Sequence, residues 1–354
     1  MNNNFSKSLI LWFDENKRSM PWRKNKFFYN IWISEVMLQQ TQVNTVIPYY
    51  NKWIKTFPTI ESVANSTEDK ILKYWEGLGY YARVRNFKKS CEYIFKNNIN
   101  IEEIIYKDFL ELPGVGIYTA SAVFSIVKNQ VYPVVDGNVK RVLSRILRFK
   151  KHPDIYIKQM NKFLLDRISQ RNPGNFNQAL MELGATVCRP KNTNCNICPI
   201  SNYCDGYKKN DYMNYPIKLK KKKKPHYDVA AGIIWKNKKI IISKRKSNGL
   251  LGGLWEFPGG KILKNETPEE CLKREILEEI NIKIKNINFI GRIKHEYSHF
   301  SITLNSYECA YKSGKMKPIE CSNVKTINLE NIYKYAFPKA NHKIFKMLEN
   351  KYNN

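Results

Sequence analysis

Residues 112–126 read LPGVGIYTASAVFSI, and residues 134–145 read VVDGNVKRVLSR. In the first stretch Pro113 ends an incoming apolar segment. Gly114 and Gly116 then permit a tight hairpin, and the apolar spacing starts the next helix near Thr119. Glycines let backbone amides approach a phosphate closely, and a helix N-terminus adds positive potential at the same place. Twenty residues past Gly116, Asp136 stands at the mouth of another predicted helix, with Gly137 and Asn138 beside it. Taken alone, the hairpin is also an ordinary corner between helices, and Asp136 an ordinary N-cap.

Towards the C-terminus lie four clustered cysteines, Cys188, Cys195, Cys198 and Cys204, spaced C-x6-C-x2-C-x5-C. Four thiols this close read as a metal site rather than a disulfide framework. Structural zinc usually takes two close pairs and this segment has one, so the spacing suits a [4Fe–4S] cluster better, with zinc as the alternative. Residues 207–227 then lose apolar periodicity and carry two prolines and the lysine run Lys220–Lys224, which marks a linker. Before it, the segments 60–75, 80–95, 119–128, 138–148 and 155–170 show helical spacing; after it, 229–235, 240–243, 287–293 and 300–311 are strand-like around a helical run at 268–280. The expected organisation is multidomain: an all-α domain over 1–206 holding the cysteine loop 188–204, a basic linker over 207–227, and an α+β domain over 228–350.

The chain has 354 residues with 60 Lys+Arg against 31 Asp+Glu, a net charge of +29, and 43% hydrophobic residues. Enough apolar material for more than one core excludes a disordered basic tail. The charge suits a polyanion, nucleic acid first. Yet 47 of the basic residues are Lys and 13 are Arg, amid abundant Asn and Ile, so compositional drift explains the excess equally well. The longest nearly apolar stretch, Ile117 to Val127, is about half a membrane-spanning length. The N-terminus lacks the features of a signal peptide. A monomeric, cytoplasmic, nucleoid-associated protein without membrane contact is the expectation.

The hairpin, the Asp at this distance and the four cysteines together resemble the helix-hairpin-helix DNA glycosylases, in particular the endonuclease III branch. The lyases of that branch carry a nucleophilic Lys two residues past the last hairpin glycine; here that position is Tyr118. A bifunctional glycosylase/lyase is therefore the alternative reading, with Lys140 the residue left for adventitious strand scission. SEVMLQQTQV (34–43) puts Glu35 on an otherwise apolar helix, where a carboxyl is costly unless paired or functional. This string, with PWR (21–23), GLGYYARVRN (77–86) and MELGATVC (181–188), is similar to the MutY-type adenine DNA glycosylases. The resemblance implies removal of adenine mispaired with 8-oxoguanine or guanine in double-stranded DNA. It makes Glu35 the general acid and Asp136 the carboxylate that stabilises the sugar cation, with Tyr118 and Asn138 supporting them and Glu182 near the base. It assigns DNA contacts to Gln40, Thr41, Leu78, Tyr80, Gly114, Gly116, Arg23 and Lys140, and the cluster to the four cysteines.

Residues 255–282, WEFPGGKILKNETPEECLKREILEEINI, match the Nudix pattern G-x5-E-x7-R-E-U-x-E-E-x-G-U at every fixed position but one, Asn281 in place of Gly. Asn tolerates a left-handed turn, so the backbone can still form. Glu275, Glu278 and Glu279 share a helical face at i, i+3 and i+4, an arrangement able to bind Mg2+. MutY-type enzymes carry a Nudix-like C-terminal domain that recognises 8-oxoguanine, and its reading loop resembles Tyr297–Ser298–His299 here, with Ser298 on the oxidised base. The near-complete box leaves open a further 8-oxo-dGTP hydrolysis, as in the MutT-type hydrolases. A catalytically dead lesion sensor and a free-standing nucleotide hydrolase are the other classes; the Glu35/Asp136 pair argues against the first, the hairpin and cysteines against the second.

Overall fold

The computed structural model describes residues 2–219 and 223–352, so Lys220–Lys222 of the expected linker run lie outside the described residues. The chain forms two compact units. One comprises residues 1–64 and 89–221, the other residues 65–88 and 222–354.

The first unit is helical. Its middle is the helix Phe28–Leu38, in which nine of eleven residues are buried, Glu35 among them. A helix apolar on all sides can only be a central one, wrapped by others. It packs on Val43–Thr56 and on Ile117–Val127, itself buried from Thr119 to Ile126. A second apolar cluster joins Phe5, Leu9 and Phe13 to Val139, Val142, Leu143 and Ile146 of the helix Gly137–Leu147, and to Phe176, Ala179, Leu180 and Leu183 of the helix Pro173–Thr186. The helix after the hairpin starts at Ile117, two residues before the expected point, because Gly116 already serves as its N-cap. The expected 60–75 helix is two helices, Ile60–Ala64 and Glu68–Trp75, since the Thr67 side chain accepts from the Lys70 amide and caps a new start.

The second unit is a mixed seven-stranded sheet with a helix on each face. Its strands are β1 (His226–Lys236), β2 (Lys239–Lys244), β3 (Trp255–Glu256), β4 (Gly259–Lys261), β5 (Lys283–Glu296), β6 (Ser301–Ser313) and β7 (Asn323–Ile327). The order is β3-β2-β1-β6-β5, with β4 paired to β1 and β7 to β2. The β1–β6 pair is parallel, from His226↔Ser301 to Trp235↔Ala310. The period-2 alternation of β1 and β2 builds both cores. Ala231, Ile233, Ile240 and Ile242 face Ile344, Phe345 and Leu348 of the helix Lys339–Tyr352, whereas Ala230, Ile234 and Ile241 face Leu272, Ile276 and Ile280 of the helix Pro268–Ile280.

Residues 65–88 belong to this unit through ion pairs and close packing. Asp69 pairs with Lys244 at 2.8 Å and accepts from the Trp255 indole at 3.2 Å. Arg85 donates to the carbonyls of Gly252 and Ser247. A side chain at Gly253 would press on Leu72 and Glu68. Among the described residues no helix is long and apolar enough to cross a membrane.

Candidate active site

Glu35, Gln40, Thr41, Tyr118, Asp136, Asn138 and Arg23 line one cavity of about 750 Å³ in the first unit, with Glu182, Gln178 and Arg18 on its wall. Each is placed by a helix end or a buried helix face. Glu35 comes from the middle of Phe28–Leu38 and is 5% exposed. Tyr118 sits in the first turn after the hairpin and donates its hydroxyl to Glu35 Oε2 at 2.8 Å. Asp136 caps the helix Gly137–Leu147: its Oδ1 accepts from the Val139 amide at 2.7 Å and its Oδ2 from Asn138 Nδ2 at 2.9 Å. The N-cap and the functional reading of Asp136 are therefore the same geometry, because capping aims one carboxylate edge into the helix and leaves the group at the cavity.

Burial sets the electrostatics. It pushes the Glu35 carboxyl up from its ordinary 4.5 to about 7, opposed by the Tyr118 hydrogen bond, reinforced by Asp136 and opposed again by Arg23. Burial also raises Asp136, against the amide of Val139, the side chain and amide of Asn138, and the Arg141 guanidinium, all of which favour its charged form. Tyr118 is held far above the ordinary phenol range by burial and by the Glu35 and Asp136 carboxyls, so it stays a donor.

Two arginines escaped the sequence reading. Arg141 donates to Asn138 Oδ1 at 2.9 Å and to the carbonyls of Gly184 at 2.6 Å and Cys188 at 2.8 Å. Its only signal is its place one turn past Asn138. Arg18 donates to Glu182 at 2.5 Å from Nε, and Arg23 adds a 2.9 Å contact to the same carboxylate, which is 2% exposed. These hydrogen bonds and charges outweigh burial and lower the Glu182 carboxyl below its ordinary range. Gly184 closes the pocket, since a Cβ there would lie 2.6 Å from Asn138 Cβ.

The remaining expected residues lie elsewhere. Arg23, expected on DNA, is committed to Glu182 and Gln178 inside the cavity. Lys140 lies off the cavity and pairs with Asp154 at 2.6 Å. Gly114 holds φ +78°, where glycine is favoured; Gly116 lies at ordinary φ with open space about it, so what it offers is access rather than conformation. Gln40 holds φ +57° just past its helix, and Tyr80 in the second unit holds φ +47°. Left-handed backbone at non-glycine residues is costly and collects at functional sites. Leu78, expected as a DNA contact, is 5% exposed: its side chain is committed to the core. Ser298 is exposed at the bend between β5 and β6, which the Tyr297 amide closes onto the Phe300 carbonyl at 2.8 Å.

The four cysteines line a second cavity in the first unit with Arg145, Ile200 and Tyr212. Burial and the other three sulfurs raise the Cys198 thiol to about 12, and Arg145 donates to Cys188 Sγ at 3.1 Å. An all-thiol donor set around one cavity, with an arginine beside it, fits a thiolate-ligated cluster.

In the second unit the Nudix segment folds as its pattern requires. Thr267 and Glu270 form a reciprocal capping box, and Asn281 ends the helix at φ +59°. The Glu275 carboxyl lies over Gly260, where a Cβ would meet it at 2.1 Å. The three box glutamates are not equivalent, however. Glu279 is buried and accepts from the Gly259 amide at 3.2 Å, while Arg274 pairs with Glu266, Glu275 and the exposed Glu278. Burial and the Glu256 carboxylate push Glu279 up to about 8. Among the described residues no three His, Cys, Asp or Glu already converge on a single-ion position.

Comparison with known proteins agrees with both halves. Residues 33–165 match the HhH-GPD superfamily base excision DNA repair proteins, and residues 229–347 match the NUDIX domain. The helical fold is shared with the solved structure of a thermostable thymine-DNA glycosylase, with a TM-score of 0.53 at 24% identity over 58% of this chain and 95% of that one. The chain is 34% identical to the adenine DNA glycosylase of Buchnera aphidicola subsp. Schizaphis graminum over 98% of its length and 99% of the relative's. It is 28% identical to the adenine DNA glycosylase of Homo sapiens over 98% of its length and 74% of that protein's. With these matches at nearly full length, the chain belongs to the adenine DNA glycosylases, base-excision repair hydrolases of N-glycosyl bonds.

Proposed function

We propose that the substrate is double-stranded DNA in which adenine faces 8-oxoguanine or guanine, and that Glu35 and Asp136 divide the chemistry of releasing it. The observation that carries this reading is a cavity holding two carboxyls in unlike surroundings. Glu35 is apolar-buried and titrates near neutrality, so it can hold a proton and deliver it to a ring nitrogen of the departing purine. Asp136 accepts from Val139 and Asn138, which favour its charged form opposite the cationic sugar. Tyr118 orients Glu35, and the Arg18–Arg23–Glu182 cluster presents a fixed polar edge to the base. A base reaches such a cavity only by leaving the duplex stack, and Gln40 and Thr41 are among the residues that line it. Among the described residues no lysine lines the cavity, so the Schiff base of a lyase has no amine there.

Cys188, Cys195, Cys198 and Cys204 would hold a [4Fe–4S] cluster, which when bound fixes the loop 188–204 covalently. Single-turnover adenine release from an A:8-oxoguanine duplex tests the proposal. Glu35→Gln should abolish release and keep duplex binding; normal release by that variant removes Glu35 from the mechanism.

A second reading concerns the other unit: hydrolysis of 8-oxo-dGTP at the Nudix segment. What favours it is the near-complete box with its left-handed Asn281, and the buried Glu279 carboxyl, which a divalent cation would neutralise, whereas neighbouring Glu256 is already held by Arg245 at 2.8 Å. Glu275 and Glu279 would hold Mg2+, with Glu278 freed from Arg274, and the ion would supply charge neutralisation at a pyrophosphate. Turnover of 8-oxo-dGTP with Mg2+ no greater than that of Glu278→Gln ends this reading.

A further inference from the structure

The turn after Trp75 is strained in backbone and heavily braced. Gly77, Gly79 and Tyr80 hold φ of +98°, +70° and +47° in close succession. A tyrosine in that region costs about 1–2 kcal/mol and persists only where its surroundings enforce it. Within the turn, the Trp75 indole donates to the Gly79 carbonyl at 3.0 Å, and Arg83 donates to the carbonyls of Leu78 and Gly79. The Arg83 guanidinium also lies over the Trp75 ring at 5.2 Å and the Tyr80 ring at 5.6 Å.

The anchor of the turn is Glu76. Its Oε1 accepts from the Phe337 amide at 2.7 Å and from His342 Nε2 at 2.9 Å, and its Oε2 takes Lys73, whose ammonium also donates to the Tyr335 carbonyl at 3.1 Å. Phe337 lies just before, and His342 in the first turn of, the helix Lys339–Tyr352 that covers one face of the sheet. The outcome is a specific juxtaposition: the Tyr80 ring stands edge-on to His299, 5.9 Å between centroids and 83° between planes. His299 follows Ser298 on the exposed bend between β5 and β6.

We propose that Glu76 is a positioning residue for opposite-base recognition, mooring the turn 77–81 to the segment 335–342 of the same unit so that Tyr80 and the bend 298–299 present one surface to the base facing the adenine. This rests on the adenine-excision reading above. A carboxylate that only glued the fold would affect stability and every substrate alike. One that places Tyr80 changes the ratio between opposite bases, and it does so through Tyr80.

The test uses the full-length protein and single-turnover adenine release from A:8-oxoguanine and A:G duplexes. Glu76→Ala, which strips a charged acceptor from three donors, is expected to lower the preference for the oxidised partner about tenfold. In the Tyr80→Ala background the same change should lower it no further. Glu76→Gln keeps an acceptor for the Phe337 amide and should retain most of the preference. An unchanged ratio in Glu76→Ala, or multiplying effects in the double variant, overturns the proposal. Should Glu76→Ala fail to fold, His342→Ala removes a single donor: a severalfold fall in the ratio supports the mooring, and an unchanged ratio overturns it. Wild-type protein that releases no adenine from either duplex would overturn both this inference and the reading beneath it; a wild-type preference that Glu76→Ala leaves intact overturns the mooring alone.

Discussion

Replacing Glu35 by Gln should destroy catalysis and stabilise the protein, and the gain should depend on pH. Burial places the Glu35 carboxyl at about 7 in the folded chain against 4.5 ordinarily. A folded pKa above the unfolded one means the contribution to stability is fully present below about 4.5 and lost as pH rises through about 7. Each unit of difference corresponds to about 1.4 kcal/mol. At pH 5.5 the unfolded chain already ionises Glu35 while the folded one does not, a penalty of roughly 1 kcal/mol; at pH 8.5 it reaches roughly 3 kcal/mol. Gln is nearly isosteric and its carbonyl still accepts from Tyr118, so the penalty disappears while the packing stays. The variant should therefore gain roughly 2 kcal/mol more over wild type at pH 8.5 than at pH 5.5. Urea unfolding of the helical unit, followed by its far-ultraviolet dichroism at both pH values, measures this. A difference between variant and wild type that is the same at both values, or that favours wild type more at the higher one, refutes the assignment of a near-neutral carboxyl to Glu35.

Two further outcomes follow from the same cavity. Tyr118→Phe removes the hydrogen bond that pulls the Glu35 carboxyl down, so the alkaline fall in the pH profile of adenine release should move up by about 1 unit; a limb that stays or moves down contradicts Tyr118 as the donor. Gly184→Ala puts a Cβ 2.6 Å from Asn138 Cβ, and since both positions lie on packed helices the conflict falls on Asn138. Stability should drop by about 1–3 kcal/mol, and single-turnover release should slow in duplexes of every opposite base, which the same kinetics would read.

The parts legible in the sequence were those whose logic is local. Gly114-x-Gly116 and the Asp136 cap each carry their geometry within a few residues, and Glu35 announces itself by being charged on an apolar helix. The Nudix segment was legible down to Asn281, whose φ of +59° is the conformation its residue type permits. Through-space partners were not legible. Arg18 and Glu182 are 164 positions apart, and nothing near either one names the other. Leu78 is assigned to DNA by the resemblance of its loop, and a motif match does not say which of a loop's side chains turn inward, as the 5% exposed Leu78 does. Residues 65–88 have helical spacing whichever unit holds them, so their place beside Lys244 and Trp255 could not be read from that spacing. As for the net charge of +29, most of the residues that build the cavity are not lysines, and the lysine singled out near it, Lys140, is spent on Asp154.

The placement of residues 65–88 has a consequence for biosynthesis. They leave the ribosome 134 residues before residue 222, where the rest of their unit begins. At about 5–20 residues per second, that is a wait of roughly 7–27 seconds. Throughout it Leu72, fully buried in the finished protein, lacks the packing against Gly253 that the later segment supplies, and Asp69 lacks Lys244 and the Trp255 indole. Nascent chains stalled at residue 221 should accordingly be cut by protease within 65–88, and full-length chains should not. A chain shortened to its helical half is for the same reason not a clean probe of what the Nudix half contributes, because it also strips residues 65–88 of their support.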